Sequence, residues 1–190
     1  MEVIMVHGWS GTPSEGWFPW LKKELEIKGF KVQIPEMPDT DNPKIGPWVR
    51  KLSEVVGTPS EILILVGHSV GCQTILRYLE SLPTVIKIRG IILVAPFFTL
   101  TLDENEEEEI ARPWLETPID YQKVKSRTNK IVAIFSDNDP FVSLENVQMF
   151  EQRLNSKTIV EKNKGHFSGD DGVNELPVVL KAIEEISTSR

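Results

Sequence analysis

The 190-residue sequence predicts an α/β fold, a three-layer α/β/α sandwich around a six-stranded, mostly parallel sheet. Two observations carry this reading. Six short apolar runs, at residues 3–6, 31–34, 62–66, 88–95, 130–135 and 158–161, alternate with stretches whose apolar residues recur at helical spacing. Such alternation is the pattern of parallel strands joined by right-handed crossovers, with helices on both faces. In addition, residues 62–66 carry no polar residue at all, as expected of a strand covered on both sides. The length suits one well-cored domain, 1–190, rather than two.

The elements follow in order. Residues 3–6 run into His7-Gly8-Trp9-Ser10-Gly11-Thr12-Pro13, a loop of turn formers. Trp17, Trp20, Leu21, Leu25 and Lys28 mark a helix ended by Gly29. Strand 31–34 is closed by Pro35 and Pro38, and residues 47–56, around Trp48, Val49, Leu52 and Val55, form a weaker second helix. After strand 62–66, residues Cys72, Ile75, Leu76, Leu79 and Leu82 fall at helical intervals until Pro83. Strand 88–95 ends at Pro96, and residues 97–121 read as irregular. Within them the acidic run 103–109 is expected to form a solvated helix or cap edge, with a gating lid as the sharper alternative. Strand 130–135 leads into Ser136-Asp137-Asn138-Asp139-Pro140 and a helix over 143–154. Strand 158–161 is followed by a loop, 162–172, and a final helix on Leu176, Val179, Leu180, Ile183 and Ile186.

Composition removes several classes of function. A net charge of −7 gives no electrostatic reason to seek nucleic acid or an anionic membrane surface. The single cysteine, Cys72, excludes an internal disulfide and suits a reducing compartment. With no leader-like start and no long apolar run, the expectation is a cytoplasmic protein. There is no metal-ligand spacing, P-loop or dinucleotide fingerprint, so neither cofactor nor metal is expected.

The chemistry gathers around Gly67-His68-Ser69-Val70-Gly71. This G-x-S-x-G sits between a strand and a helix, the context of a nucleophile elbow. Glycines two before and two after the serine allow the strained turn and the close approach of helix to strand. A serine needs a base and an acid to orient it. On this architecture they follow in the order serine, acid, histidine. Only His166, in Asn163-Lys164-Gly165-His166-Phe167, satisfies that order; His7 and His68 are read as structural hydrogen-bonding residues. Asp139, just past the fifth strand, is the acid, with Asp137 as its competitor. The oxyanion donors are assigned to the backbone N–H of Val70 and of Trp9. Trp9, Phe97, Phe98 and Trp114 are candidate walls of an apolar acyl pocket, and Cys72 reads as a buried thiol facing the core.

With these residues placed, the chain resembles the α/β-hydrolases. It is similar in particular to the small serine hydrolase family of retinoblastoma-binding protein 9 and its bacterial relatives. The resemblance rests on Gly16-Trp17 with Trp20-Leu21-Lys22-Lys23-Glu24-Leu25-Glu26, on Met37-Pro38-Asp39 and on Trp48. It continues through Gly67-His68-Ser69 with Arg77-Tyr78, Arg112-Pro113-Trp114, Asp137-Asn138-Asp139-Pro140-Phe141 and Gly165-His166-Phe167. It implies a compact sheet without a large lid, a triad on Ser69, Asp139 and His166, and hydrolysis of a small ester. It does not bring the retinoblastoma partner with it, because Val70 stands where the Leu-x-Cys-x-Glu motif of that interaction requires leucine. A thioesterase or amidase on the same residues, or an interaction module on an idle hydrolase fold, are the alternatives.

Overall fold

The computed structural model describes residues 1–102 and 105–188, the side chains of 105 and 106 excepted. Its strands are β1 (Glu2–Val6), β2 (Lys31–Gln33), β3 (Leu63–His68), β4 (Gly90–Val94), β5 (Ile131–Ser136) and β6 (Lys157–Glu161). They form one sheet in the order β2-β1-β3-β4-β5-β6, and all five pairings are parallel. The helices are α1 (Phe18–Ile27), α2 (Ile45–Val56), α3 (Val70–Ser81), α4 (Asn105–Glu116), α5 (Tyr121–Arg127), α6 (Glu145–Leu154) and α7 (Pro177–Thr188).

Alternate residues of each central strand feed two cores. Ile4, Val6, Leu63, Leu65, Ile91, Leu93, Ala133 and Phe135 pack with residues of α2, α3, α4, α5 and α6. Val3, Met5, Ile64, Val66, Ile92, Val94, Val132 and Ile134 pack with α1 and α7. This is the expected three-layer arrangement, and it explains why the strand sequences are apolar throughout: both faces are covered. From β1 the chain moves outward to β2, then crosses back past β1 to β3. Strand order therefore reverses between β1 and β3, and the crevice beyond their carboxyl ends is where such folds bind ligands.

The segment 97–121 departs from the irregular reading. It contains α4 and leads into α5, whose first turn is capped by Asp120 Oδ1 accepting from the amides of Gln122 and Lys123 at 3.1 and 3.0 Å. Helix α4 includes Pro113 and gives the core Ala111 and Trp114. Of the acidic run, residues 103 and 104 lie outside the described residues, and 105–109 belong to α4.

Candidate active site

Ser69 sits at the turn between β3 and α3 with φ 52° and ψ −118°, a backbone region costly for a residue with a side chain, roughly 1–3 kcal/mol. Its amide donates to the Val94 carbonyl at 2.9 Å, and its own carbonyl accepts from the Cys72 amide at 2.9 Å. The two flanking glycines are required by space. A Cβ on Gly67 would come 2.7 Å from the Cys72 nitrogen, and one on Gly71 would collide with the carbonyl oxygens of Val6 and His7. Helix α3 is thereby packed directly against the end of β1. The Ser69 hydroxyl does not cap α3. It makes no hydrogen bond to another described residue, and Ser69 lines the cavity described below.

His166 lies in the loop between β6 and α7, where two residues fold around it at positive φ, Gly165 at 53° and Phe167 at 58°. Asp139, in the loop after β5, holds the ring: Nδ1 lies 2.9 Å from Oδ2 and 3.1 Å from Oδ1. A carboxylate only accepts, so Nδ1 carries the proton and Nε2 keeps its lone pair. The Asp139 side chain is 1% exposed and that of His166 16%. Asp139 Oδ1 also accepts from the amides of Phe141 and Val142 at 2.9 and 3.0 Å, which fixes the orientation of the carboxyl group in its loop.

The acid loop and the histidine loop are joined rung by rung. Asp137 Oδ1 accepts from the Asn163 amide (2.8 Å), Ser136 Oγ from the Lys164 amide (3.0 Å), and Asn138 Oδ1 from the Gly165 amide (2.9 Å). Asp137, the competitor for the acid role, is therefore bound to backbone. On the far side, Asp171 Oδ2 accepts from the amides of His166 (2.9 Å) and Ser168 (3.0 Å) and from the Ser168 hydroxyl (2.7 Å). Partial burial pushes the Asp171 carboxyl up, but the bonds from Ser168 and His166 outweigh it and hold the carboxyl below its ordinary value. Asp171 has no place in the serine–acid–histidine order. Its role as a loop clasp is carried in the sequence only by the short Ser168-x-x-Asp171 spacing, a capping-type pattern.

The other two histidines are bonded to backbone groups. His7 Nε2 accepts from the Met37 amide at 3.2 Å, so Nδ1 donates to the Gly8 carbonyl at 3.1 Å; burial lowers its pKa. His68 Nε2 donates to the His166 carbonyl at 2.7 Å. Burial first, and the neighbouring His166 second, bring His68 down to about 3.

Ser69 and His166 open onto one cavity of about 440 Å³. No hydrogen bond joins Ser69 Oγ to His166 among the described residues; such contacts often tighten only around substrate. Trp9 and Val70 line the cavity, and neither backbone N–H donates to another described residue. At Val70 the reason is its position as the first residue of α3, whose N–H has no intrahelical acceptor. Trp9, Phe97, Leu100, Leu102 and Phe141 give the cavity apolar walls, and Glu15, Glu107 and Asp170 are its carboxylates, with no lysine or arginine among the described lining.

Phe98 and Trp114 are not on these walls. Phe98 stacks on Phe150, ring centroids 4.1 Å apart, under the Arg153 guanidinium. Trp114 is 2% exposed and donates from Nε1 to the Pro43 carbonyl at 2.9 Å. Both are packing residues of the core around α2–α6. Cys72 is buried with its thiol donating to the Val94 carbonyl at 3.3 Å, and burial pushes it well above its ordinary pKa. Among the described residues no group of three or more His, Cys, Asp or Glu is placed to hold a metal, and no helix is long and apolar enough to cross a membrane.

The chain is similar over nearly its whole length to known proteins. YdeN of Bacillus subtilis (strain 168) is 32% identical over 184 residues, covering 96% of this chain and 94% of its own. Serine hydrolase RBBP9 of Rattus norvegicus is 28% identical over 182 residues, covering 95% and 93%. The crystal structure of the B. subtilis ydeN gene product matches with a TM-score of 0.91 at 30% identity over 99% of both chains. Polyneuridine aldehyde esterase, 17% identical over 98% of both chains, has a TM-score of 0.65 and shares the fold. Residues 3–185 match the family described as serine hydrolase, and with that coverage the chain belongs to the serine hydrolase family, on an α/β-hydrolase fold.

Proposed function

We propose that this chain hydrolyses a small carboxylic ester through an acyl-enzyme on Ser69, with His166 as base and Asp139 as its orienting acid. The observation that carries the reading is a serine at φ 52°, free of any capping bond, facing the same cavity as a histidine whose Nδ1 is held by a buried aspartate. As Ser69 Oγ attacks the ester carbonyl carbon, His166 Nε2 takes its proton. The tetrahedral oxyanion is received by the N–H groups of Trp9 and Val70. The intermediate collapses as Nε2–H protonates the leaving alcohol, leaving acyl-Ser69. Water then attacks, giving its proton to Nε2 and, after collapse, the free acid and the original serine. Asp139 keeps Nδ1 protonated and stabilises the imidazolium in both halves.

The cavity argues for an uncharged or cationic ester with an apolar portion. A thioester borne on a phosphorylated carrier would bring negative charge to Glu15, Glu107 and Asp170 with no cation in the lining to receive it. Turnover of matched ester, thioester and anilide substrates by the wild type and Ser69→Ala tests the assignment. Activity on the ester that vanishes in the variant supports it; full ester turnover by Ser69→Ala refutes it.

A further inference from the structure

One imidazole at the elbow has no part in the proton transfers proposed above, yet it links the nucleophile's turn to the loop of the base. His68 is 8% exposed. Its Nε2 donates to the His166 carbonyl at 2.7 Å. Its Nδ1 faces the loop after β1, where a Cβ added to Gly8 would come within 3.2 Å of it and equally of Ser69 Cβ. The edges of Trp17 and Phe18 enclose the ring, at centroid distances of 6.2 and 6.4 Å. Trp17 also reaches the next carbonyl of the histidine loop, donating from Nε1 to Phe167 at 3.1 Å.

We propose that His68 is a positioning residue: through its hydrogen bond to the His166 carbonyl it sets the reach between Ser69 Oγ and His166 Nε2. The inference rests on the assignment of Ser69 and His166 above. Asp139 holds only the Nδ1 end of the His166 ring, and the Ser136–Asn138 rungs hold backbone amides N-terminal to it. None of these ties the base to the nucleophile. His68 does, because it is bonded through one peptide to Ser69 and through one hydrogen bond to His166.

The chemistry of the donor also matters. The His68 and His166 rings lie 5.1 Å apart. A lysine or arginine in this place would oppose the positive charge that His166 takes up in each transfer. The titratable groups facing His68 are His166, Asp139 and His7, and burial leaves His68 an uncharged donor. Neutral imidazole supplies the N–H without the charge.

The test uses the intact chain with three variants, a p-nitrophenyl ester and a fluorophosphonate. His68→Gln keeps a side-chain N–H with enough reach; His68→Asn keeps the polarity but is too short. The expected result for His68→Asn is a parallel fall in kcat and in the fluorophosphonate labelling rate, roughly tenfold to a hundredfold. Its KM stays within about twofold, and His68→Gln recovers most of the loss. Nitrogen-15 NMR of the wild type should show His68 as the neutral Nε2–H tautomer. Wild-type labelling by both variants, or an equal loss in both, overturns the proposal. If His68→Asn does not fold, an Nδ1–H tautomer in the wild type overturns it alone. Failure of the underlying assignment is separate: it shows as Ser69→Ala still taking the label, whatever His68 does.

Discussion

Asp139 grips His166 with both carboxylate oxygens, 2.9 and 3.1 Å from Nδ1, while two backbone amides hold Oδ1 from behind. An amide in place of the carboxylate would present either a donor or an acceptor to Nδ1 and would no longer specify which nitrogen carries the proton. Asp139→Asn is expected to lower kcat by about 10³–10⁴-fold with little change in KM, measured on a small ester. A loss under about tenfold would show that Asp139 does not set the tautomer.

The strain at Ser69 has a consequence for stability. Glycine adopts φ 52° and ψ −118° without the Cβ clash, so Ser69→Gly should be more stable than Ser69→Ala by about 1 kcal/mol. Both variants lack the hydroxyl, so the difference between them is the backbone strain less the entropy that glycine adds to the unfolded chain. Urea denaturation of the two measures it. Equal midpoints would mean that the strain at this residue is no larger than that entropy, and would contradict the expected difference.

Acid should destabilise the protein through His68. Its pKa is about 3 when folded and 6.5 in the unfolded chain. Between these values the unfolded state binds a proton that the folded state refuses, so the contribution is complete above pH 6.5 and is lost as pH falls toward 3. The limiting slope is about 1.4 kcal/mol per pH unit. Asp171, held below its ordinary value, adds loss in the same direction as it becomes protonated. Melting curves at several pH values below 6.5 should show the wild type falling faster than His68→Gln. Parallel curves would contradict a neutral buried His68.

The parts of this fold that were legible in the sequence are those where local pattern and tertiary role coincide. The runs of β3, β4 and β5 are apolar because both faces are buried. Gly67 and Gly71 are glycines because backbone occupies the space of a Cβ. Asp139 and His166 are spaced as the chain order on such a sheet requires, and the structure brings the pair into contact. Helices α4 and α5 were not legible. Pro113 lies inside the first, of whose described side chains only Ala111 and Trp114 are fully buried, and α5 spans seven residues. Aromatic identity did not distinguish Phe97, on the cavity wall, from its neighbour Phe98, stacked on Phe150. Asp171 serves backbone amides folded by its own loop, a partnership that sequence spacing signals only weakly.

The carboxylates of the cavity lining predict a charge preference. An ester bearing a negative acyl group should be a poorer substrate than its neutral isostere, and Glu107→Gln should narrow the gap severalfold at low ionic strength. The effect should fade at about 1 M salt, where the screening length is roughly 3 Å. A salt-independent preference would place its origin in shape instead.

The most direct measurement is the intact mass of the protein after incubation with a fluorophosphonate, beside Ser69→Ala. A single adduct on the wild type, mapped to Ser69 and absent from the variant, is the predicted result; it requires an activated hydroxyl and a competent oxyanion site together. A folded wild type that stays unlabelled, or a variant labelled as fast as the wild type, would contradict the assignment of Ser69 as the nucleophile.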